Sequence, residues 1–594
     1  MRTVGKVLII LLAIVGLIVV ALGGLAWYAA SHIDVADTFR DPLPERVVLH
    51  LPFDRAFTEG EASLALSGFG PSSLSVRQVV AALDRAADDP RVVAVVASVG
   101  ESGRGMGQTQ ELRAAIDRFR QSGKPAVAFA DTLGEGQTGT VDYYLASAFS
   151  EVWMQPSGLL GLTGFGIEVP FAREALESLG VDAEYGTRHE YKNALDSAVR
   201  QTMSDEHRQS LQDLLGSFED QVVQGVAAAR GLKTDAVRGI LNGPPLFAAE
   251  AQAAGLLTNL GYWDQVLAQV GGLSKGAEPV ALARYAELEP LTGPDDAPTI
   301  ALIRVAGTIQ RGTTDPSPFG AAESTGGDTA AKALRKAIDD PLVRAIVLRI
   351  DSPGGSYVAS DTIWREVMRA RERKLPIIAS MGDVAASGGY FAAMGADRII
   401  AQPGTITGSI GVFALKPVLS GVWDKLNVNW DRVESGDHAL LWSPNRAFTP
   451  AEQAWFDRML DTIYADFTTK VGQSRGLDAG QIDRVARGRI FTGTQAMDLG
   501  LVDSLGGLDT AVLEAKTAAG IAEDMVVRVA PYPEPKTGFE ALREMFGGEE
   551  APVAIGTLLR LGGLLAPLTG EFDRMGVATR GPALLAPPGV RSSP

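Results

Sequence analysis

Gln402-Pro403-Gly404-Thr405-Ile406-Thr407-Gly408-Ser409-Ile410-Gly411 is the stretch from which this 594-residue chain is best read, because an earlier stretch repeats it: Gln155-Pro156-Ser157-Gly158-Leu159-Leu160-Gly161-Leu162-Thr163-Gly164. The Gln-Pro pair and both flanking glycines coincide at one constant offset without a gap, as do Tyr143 and Tyr390 ahead of them. The match continues upstream, where Asp88-Asp89-Pro90 answers Asp339-Asp340-Pro341, and downstream, where Gly255-Leu256-Leu257 answers Gly500-Leu501-Val502. Two homologous halves of one architecture follow from it. They differ at the centre, since Leu162 in the first copy stands where the second has Ser409. A serine between glycines is by itself a common turn. Ser409 becomes a candidate nucleophile because only one of two copies carries it, between residues that let other backbone approach closely.

Each half alternates strand and helix patterns. In the second, Thr299–Val305, Ala345–Ile350 and Pro376–Ser380 read as strands, Thr329–Ile338 and 360–372 as helices, with another opening near Ser387-Gly388-Gly389, and Arg398–Ala401 is an apolar segment ahead of the repeated stretch. Continuous apolar strands separated by helices predict an α/β fold with mostly parallel sheets covered by helices. The halves are assigned to residues 44–270 and 299–533, joined by a linker at 271–298 that is rich in Gly, Pro and Glu and built around a short helix or strand. Gly272-Leu273-Ser274-Lys275-Gly276 formally matches a G-x-S-x-G elbow, but lacks a strand before it and a helix after it. Residues 534–594 form a Gly/Pro-rich tail.

Residues 7–30 are almost unbroken in their apolarity, and as a helix would span about 36 Å, enough to cross a hydrocarbon core of about 30 Å. Arg2 and Lys6 precede the run, leaving residues 1–6 in the cytoplasm and the bulk of the chain outside it, with Trp27-Tyr28 at the outer interface. Ala29-Ala30-Ser31 offers a signal-peptidase site, but the run is longer than a signal h-region, which favours an uncleaved anchor. The net charge of -17 argues against nucleic acid as a partner. With no cysteine in the chain, thiol nucleophiles and thiolate metal sites are excluded.

A serine hydrolase needs a base for the hydroxyl proton and donors for the oxyanion. The Ser352-Pro353-Gly354-Gly355 turn after a buried strand offers the Gly354 amide, and the Ile410 amide directly follows the nucleophile. The first copy has Gly103-Arg104 at the place of Gly354-Gly355. The base is either one of five histidines (His32, His50, His189, His207, His438), which show no metal-ligand spacing, or a lysine whose pKa burial has lowered. Lys192 lies thirty residues beyond Leu162, and the corresponding part of the second half, Asp437–Ala439, has no lysine. One half has the lysine without the serine and the other the reverse.

Asp351-Ser352-Pro353-Gly354-Gly355-Ser356, Ala385-Ala386-Ser387-Gly388-Gly389-Tyr390, Ile406-Thr407-Gly408-Ser409-Ile410-Gly411 and Tyr191-Lys192 together resemble the long, tandem-repeat form of the signal peptide peptidase A family. The resemblance implies two ClpP/crotonase-like repeats after an N-terminal anchor and a Ser-Lys dyad with Ser409 as nucleophile and Lys192 as general base, without metal or cofactor. It also implies degradation of cleaved signal peptides at the periplasmic face of the bacterial inner membrane by a bowl-shaped homotetramer. Ser435 is the residue expected to orient the lysine, and Lys192 and Ser409 of one chain are expected to meet between its halves. Three other readings compete: acyl-CoA chemistry on the same fold, a non-catalytic membrane scaffold, and a hydrolase with His438 as base.

Overall fold

The computed structural model describes residues 43–59, 74–273, 277–288, 294, 297–314, 323–532 and 583–585. The apolar run 7–30 and most of the tail lie outside them, as does the greater part of the 272–276 elbow; among the described residues no helix is long and apolar enough to cross a membrane.

The first half is built on a parallel sheet. Its spatial order is Asn259–Leu260, Glu151–Met154, Ala126–Ala130, Val92–Val99, Val47–Phe53 and Glu278–Ala281, so the last strand comes from the stretch read as linker. The second half orders Ile490–Thr492, Ile406–Gly408, Ile377–Ala386, Val343–Ser352, Thr299–Ala306 and Arg528–Tyr532, all parallel except Ile490–Thr492. Strands covered on both faces have no polar face to show: Ala345, Ile346, Val347 and Leu348 are all fully buried. The continuous apolar runs in the sequence are the direct consequence.

Equivalent residues do equivalent work in the two halves. The Tyr143 hydroxyl donates to the Leu256 carbonyl at 2.7 Å, and the Tyr390 hydroxyl to that of Leu501 at 3.0 Å. Each half has a 26-residue helix, Asp205–Arg230 and Pro450–Arg475. The Ser204 and Thr449 side chains cap their N-termini, and left-handed Gly231 and Gly476 end them.

The halves join through polar contacts that are themselves buried. The helix Met106–Gln121 of the first half sends its Gln108 amide to Asp383 Oδ1 at 2.8 Å, so a second-half carboxylate caps a first-half helix. Its Glu111 accepts from the Leu508 amide at 2.8 Å, and its Gln110 from that of Gly404 at 2.6 Å. Arg349 bridges Glu111 and Glu59 at 2.7 and 2.9 Å, all three side chains being at most 5 % exposed. Burial pushes the Asp383 carboxyl up to about 6 and that of Asp351 well above its usual range.

A third, smaller sheet carries the site. Its order is Ser324–Gly326, Thr308–Gln310, Gly354–Ser356, Ala583–Leu585, Val412–Val418 and Asp182–Arg188. The last of these belongs to the first half and pairs antiparallel with Val412–Val418 along its whole length, Arg188 opposite Val412.

Candidate active site

That pairing brings two distant segments together. Ser409 lies three residues before Val412 and Lys192 four after Arg188, so both side chains emerge at the same end of one antiparallel pair. A single second-half loop then fixes both. The Arg489 carbonyl accepts the Ser409 amide at 2.6 Å, the Gly488 amide donates to the Ile410 carbonyl at 2.8 Å, and the Arg487 carbonyl accepts the Tyr191 amide at 3.2 Å. Gly488 has a φ of 89°, and a Cβ there would lie 2.5 Å from the Lys192 nitrogen, so the approach requires glycine. Outside this contact, the Arg489 guanidinium stacks over the Tyr191 ring at 4.0 Å, and Arg487 pairs with Glu190 at 2.8 Å.

Lys192 Nζ lies 2.9 Å from Ser409 Oγ, 2.9 Å from the Ser409 carbonyl oxygen and 2.9 Å from Ser387 Oγ. Lys192 is 2 % exposed, and burial pushes its pKa well below that of a free lysine. The contacts suit the neutral amine: two N–H bonds reach Ser387 Oγ and the Ser409 carbonyl, and the remaining lone pair faces the Ser409 hydroxyl. Ser409 is fully buried and has a φ of 52°, a left-handed value uncommon for a non-glycine residue. Ser387, also fully buried, has a φ of 55° at the turn between the strand Ile377–Ala386 and the helix Gly388–Ala393. Strain at two of three polar residues in one pocket is the pattern of a functional site.

Other expected positions fall elsewhere. Ser435 is exposed in an irregular stretch after the helix Ser420–Lys425, and the other serine side chain that touches the Lys192 amine is that of Ser387. The His438 side chain is 58 % exposed and faces Glu452 at 3.7 Å, out on the surface away from the buried serine. The Gly354 amide, expected to face a substrate oxygen, donates to Ser352 Oγ at 3.1 Å; the residue's φ of 109° does require glycine. Ile410 is fully buried beside Ser409. Among the described residues no group of three or more His, Cys, Asp or Glu could hold a metal ion.

In the first half a buried ion pair stands at the positions of two of the second half's glycines. Arg104, at the position of Gly355, is 4 % exposed and pairs at 3.0 Å with Asp142, at the position of Gly389. Its guanidinium also donates to the Phe53 carbonyl at 2.9 Å, and Leu162 is packed into the core.

The model of peptidase family S49 matches residues 118–275 and 369–522, one segment in each half. The chain is 32 % identical over 520 residues to the chloroplastic serine protease SPPA of Arabidopsis thaliana, covering 86 % of this chain and 75 % of that one. It is 32 % identical over 485 residues to protease 4 of Haemophilus influenzae, covering 77 % and 75 %. Among solved structures, a ClpP1 variant from Listeria monocytogenes is similar over 35 % of this chain and 91 % of its own, at 14 % identity and a TM-score of 0.22.

Proposed function

We propose, from the premise that this chain belongs to peptidase family S49 and is a serine peptidase, that Ser409 is its nucleophile and Lys192 its general base. The observation that carries this is the buried 2.9 Å contact between Lys192 Nζ and Ser409 Oγ. The neutral amine takes the hydroxyl proton as Ser409 Oγ attacks the scissile carbonyl, and returns it to the leaving amine. Ser387 and the Ser409 carbonyl hold the amine so that its lone pair stays on the nucleophile. The Ile410 amide and an amide of the Gly354-Gly355 turn stabilise the oxyanion; since Gly354 already serves Ser352, that of Gly355 is the better donor.

The substrates in this reading are hydrophobic peptides, cleaved signal peptides among them, met by an enzyme anchored through residues 7–30 with its catalytic part on the periplasmic face of the inner membrane. The length and flanks of the apolar run support the anchor, and the name of one relative, a putative signal peptide peptidase from Enterococcus faecium, agrees with the substrate. Assembly as a homotetramer belongs to the same proposal. The test is hydrolysis of a fluorogenic signal-peptide-like substrate by the full chain in detergent. Ser409→Ala and Lys192→Ala should each lower kcat about 10³-fold or more, while His438→Ala stays within about twofold. Full activity in Lys192→Ala would end the dyad reading.

A further inference from the structure

The strand Ile377–Ala386, which ends immediately before Ser387, does not run straight to it. Its pairing with Val343–Ser352 jumps from Ile350 opposite Met381 to Ser352 opposite Ala385, so Asp351 alone faces Gly382, Asp383 and Val384. That is a bulge, and a bulge re-aims the residues that follow it. On its other edge the strand changes partner across the same residues: Ile378–Ser380 pair with Arg398–Ile400, and Val384–Ala386 with Ile406–Gly408, the strand that leads to Ser409. Past the bulge the Ser387 amide donates to the Gly408 carbonyl at 2.8 Å, and the Ser387 hydroxyl meets Lys192 Nζ at 2.9 Å. The bulge therefore sets where Ser387 stands relative to both members of the proposed dyad.

Two carboxyls hold the bulge from opposite sides. Asp351 Oδ1 accepts from the Val384 amide at 2.9 Å, and the next residue, Ser352, accepts the Gly354 amide at the oxyanion turn. Asp383 reaches the other way, into the first half, where its carboxyl accepts from the Gln108 amide in the first turn of the helix Met106–Gln121. The first half is shaped around this contact. A Cβ on Gly105 would collide with the Asp383 carboxyl, and one on Gly107 would lie 2.7 Å from the Gly382 carbonyl oxygen. Gly105 has an ordinary φ of -78°, so the close approach and not the backbone requires glycine there. The arrangement is also electrostatically unfavourable: burial, and after it the charge of Glu59, push the Asp351 and Asp383 carboxyls up, with Arg349 the cation that offsets them. Groups held together against such repulsion are candidates for function. We infer that Asp383 is a positioning residue of the proposed site: by clamping the bulge to the first half, it aligns Ser387 with the Lys192 amine through the same docking that delivers the lysine. The inference rests on the proposed site of Ser409 and Lys192 and adds to it a link between the docking of the halves and the serine that orients the base.

The test is a double-mutant cycle in the full chain in detergent, read by hydrolysis of a fluorogenic signal-peptide-like substrate and by hydrogen–deuterium exchange. Asp383→Ala should lower kcat about 10- to 100-fold and leave KM within about twofold. Asp383→Asn keeps the accepting oxygen and should recover kcat to within about threefold of wild type. Gly107→Ala, a change in the first half alone, should act like Asp383→Ala by pressing on the Gly382 carbonyl. Because Asp383 acts through Ser387, Asp383→Ala should cost less than about twofold once Ser387→Ala is present. Exchange should quicken at residues 382–389 and 106–110 and stay unchanged elsewhere. Three results overturn the inference: wild-type kcat in Asp383→Ala, equal losses in Asp383→Ala and Asp383→Asn, or the same fold loss with and without Ser387, which is what general destabilisation gives. If exchange changes as expected while no chain, wild type included, hydrolyses peptide, the clamp on Ser387 stands and the peptidase assignment of Ser409 and Lys192 falls.

Discussion

The two halves hold the same pocket in two conditions. In the second, Gly355 and Gly389 let the backbone of Ile309 and Ser352 pack directly against them, near the Ser387, Ser409 and Lys192 cluster; in the first, Arg104 and Asp142 stand at those positions as a buried ion pair. Tyr143 and Tyr390, the 26-residue helices and the parallel sheets are shared. The architecture can therefore be kept while the polar cluster is lost, because the strands and helices depend on apolar burial and the cluster on a few side chains beside a turn. The first half did not become idle. Its strand Asp182–Arg188 brings Lys192 within 2.9 Å of Ser409 in the other half.

The sharpest way to break this comparison is to divide its parts between chains. Mixed oligomers of Ser409→Ala and Lys192→Ala chains should remain about 10³-fold below wild type, since each intact dyad needs both halves of one chain; recovery to a quarter of wild-type activity would show the lysine crossing between subunits. Next in size, Arg104→Ala strands a buried carboxylate and should cost about 3–5 kcal/mol of stability, seen as a lower denaturation midpoint with kcat within about twofold of wild type. Leu162→Ser should cost about 2–3 kcal/mol and restore no second site, as a double variant with Ser409→Ala would reveal by remaining inactive. The mildest test is titration. Because burial lowers the Lys192 pKa, kcat/KM should rise with pH through that lowered value and level off below the ordinary lysine range near 10.4. Over the same window the unfolded chain binds a proton that the folded one does not, so this residue's contribution makes the protein more stable as pH rises; Lys192→Met should flatten both profiles.

Much of this was legible in the sequence because a repeat is its own control. The gapless match at Gly408 and Gly161 singled out Ser409, the unmatched lysine at 192 was the other candidate, and the structure sets the two side chains 2.9 Å apart. Arg104 could be seen to replace a glycine, but its partnership with Asp142 could not, because those residues meet only when a strand end and a helix start are packed together. Ser387 was visible only as part of a conspicuous Ala-Ala-Ser-Gly-Gly-Tyr motif. Its role depends on a left-handed backbone at a strand-to-helix turn, which no periodicity announces. Ser435 misled for the opposite reason: it lies in irregular chain, where counting residues from a repeat does not fix a position in space. The Gly354 amide was expected to face substrate because glycine was required there, but a requirement for glycine does not say where its N–H points, and Ser352 takes it.

The loop Arg487–Arg489, which grips the backbone of Ser409, Ile410 and Tyr191, also sets a clock. A ribosome that has delivered Lys192 and even Ser409 has not yet delivered the segment that holds them against each other. Domains that form during synthesis do so from the N-terminus onward, and contacts of large sequence separation form late. With Ser409 and Lys192 as the proposed dyad, an unfinished chain carries a first half without that serine, and proteolysis would begin only with a nearly completed molecule. No propeptide is needed for that delay; it is written into the order in which the two copies are read.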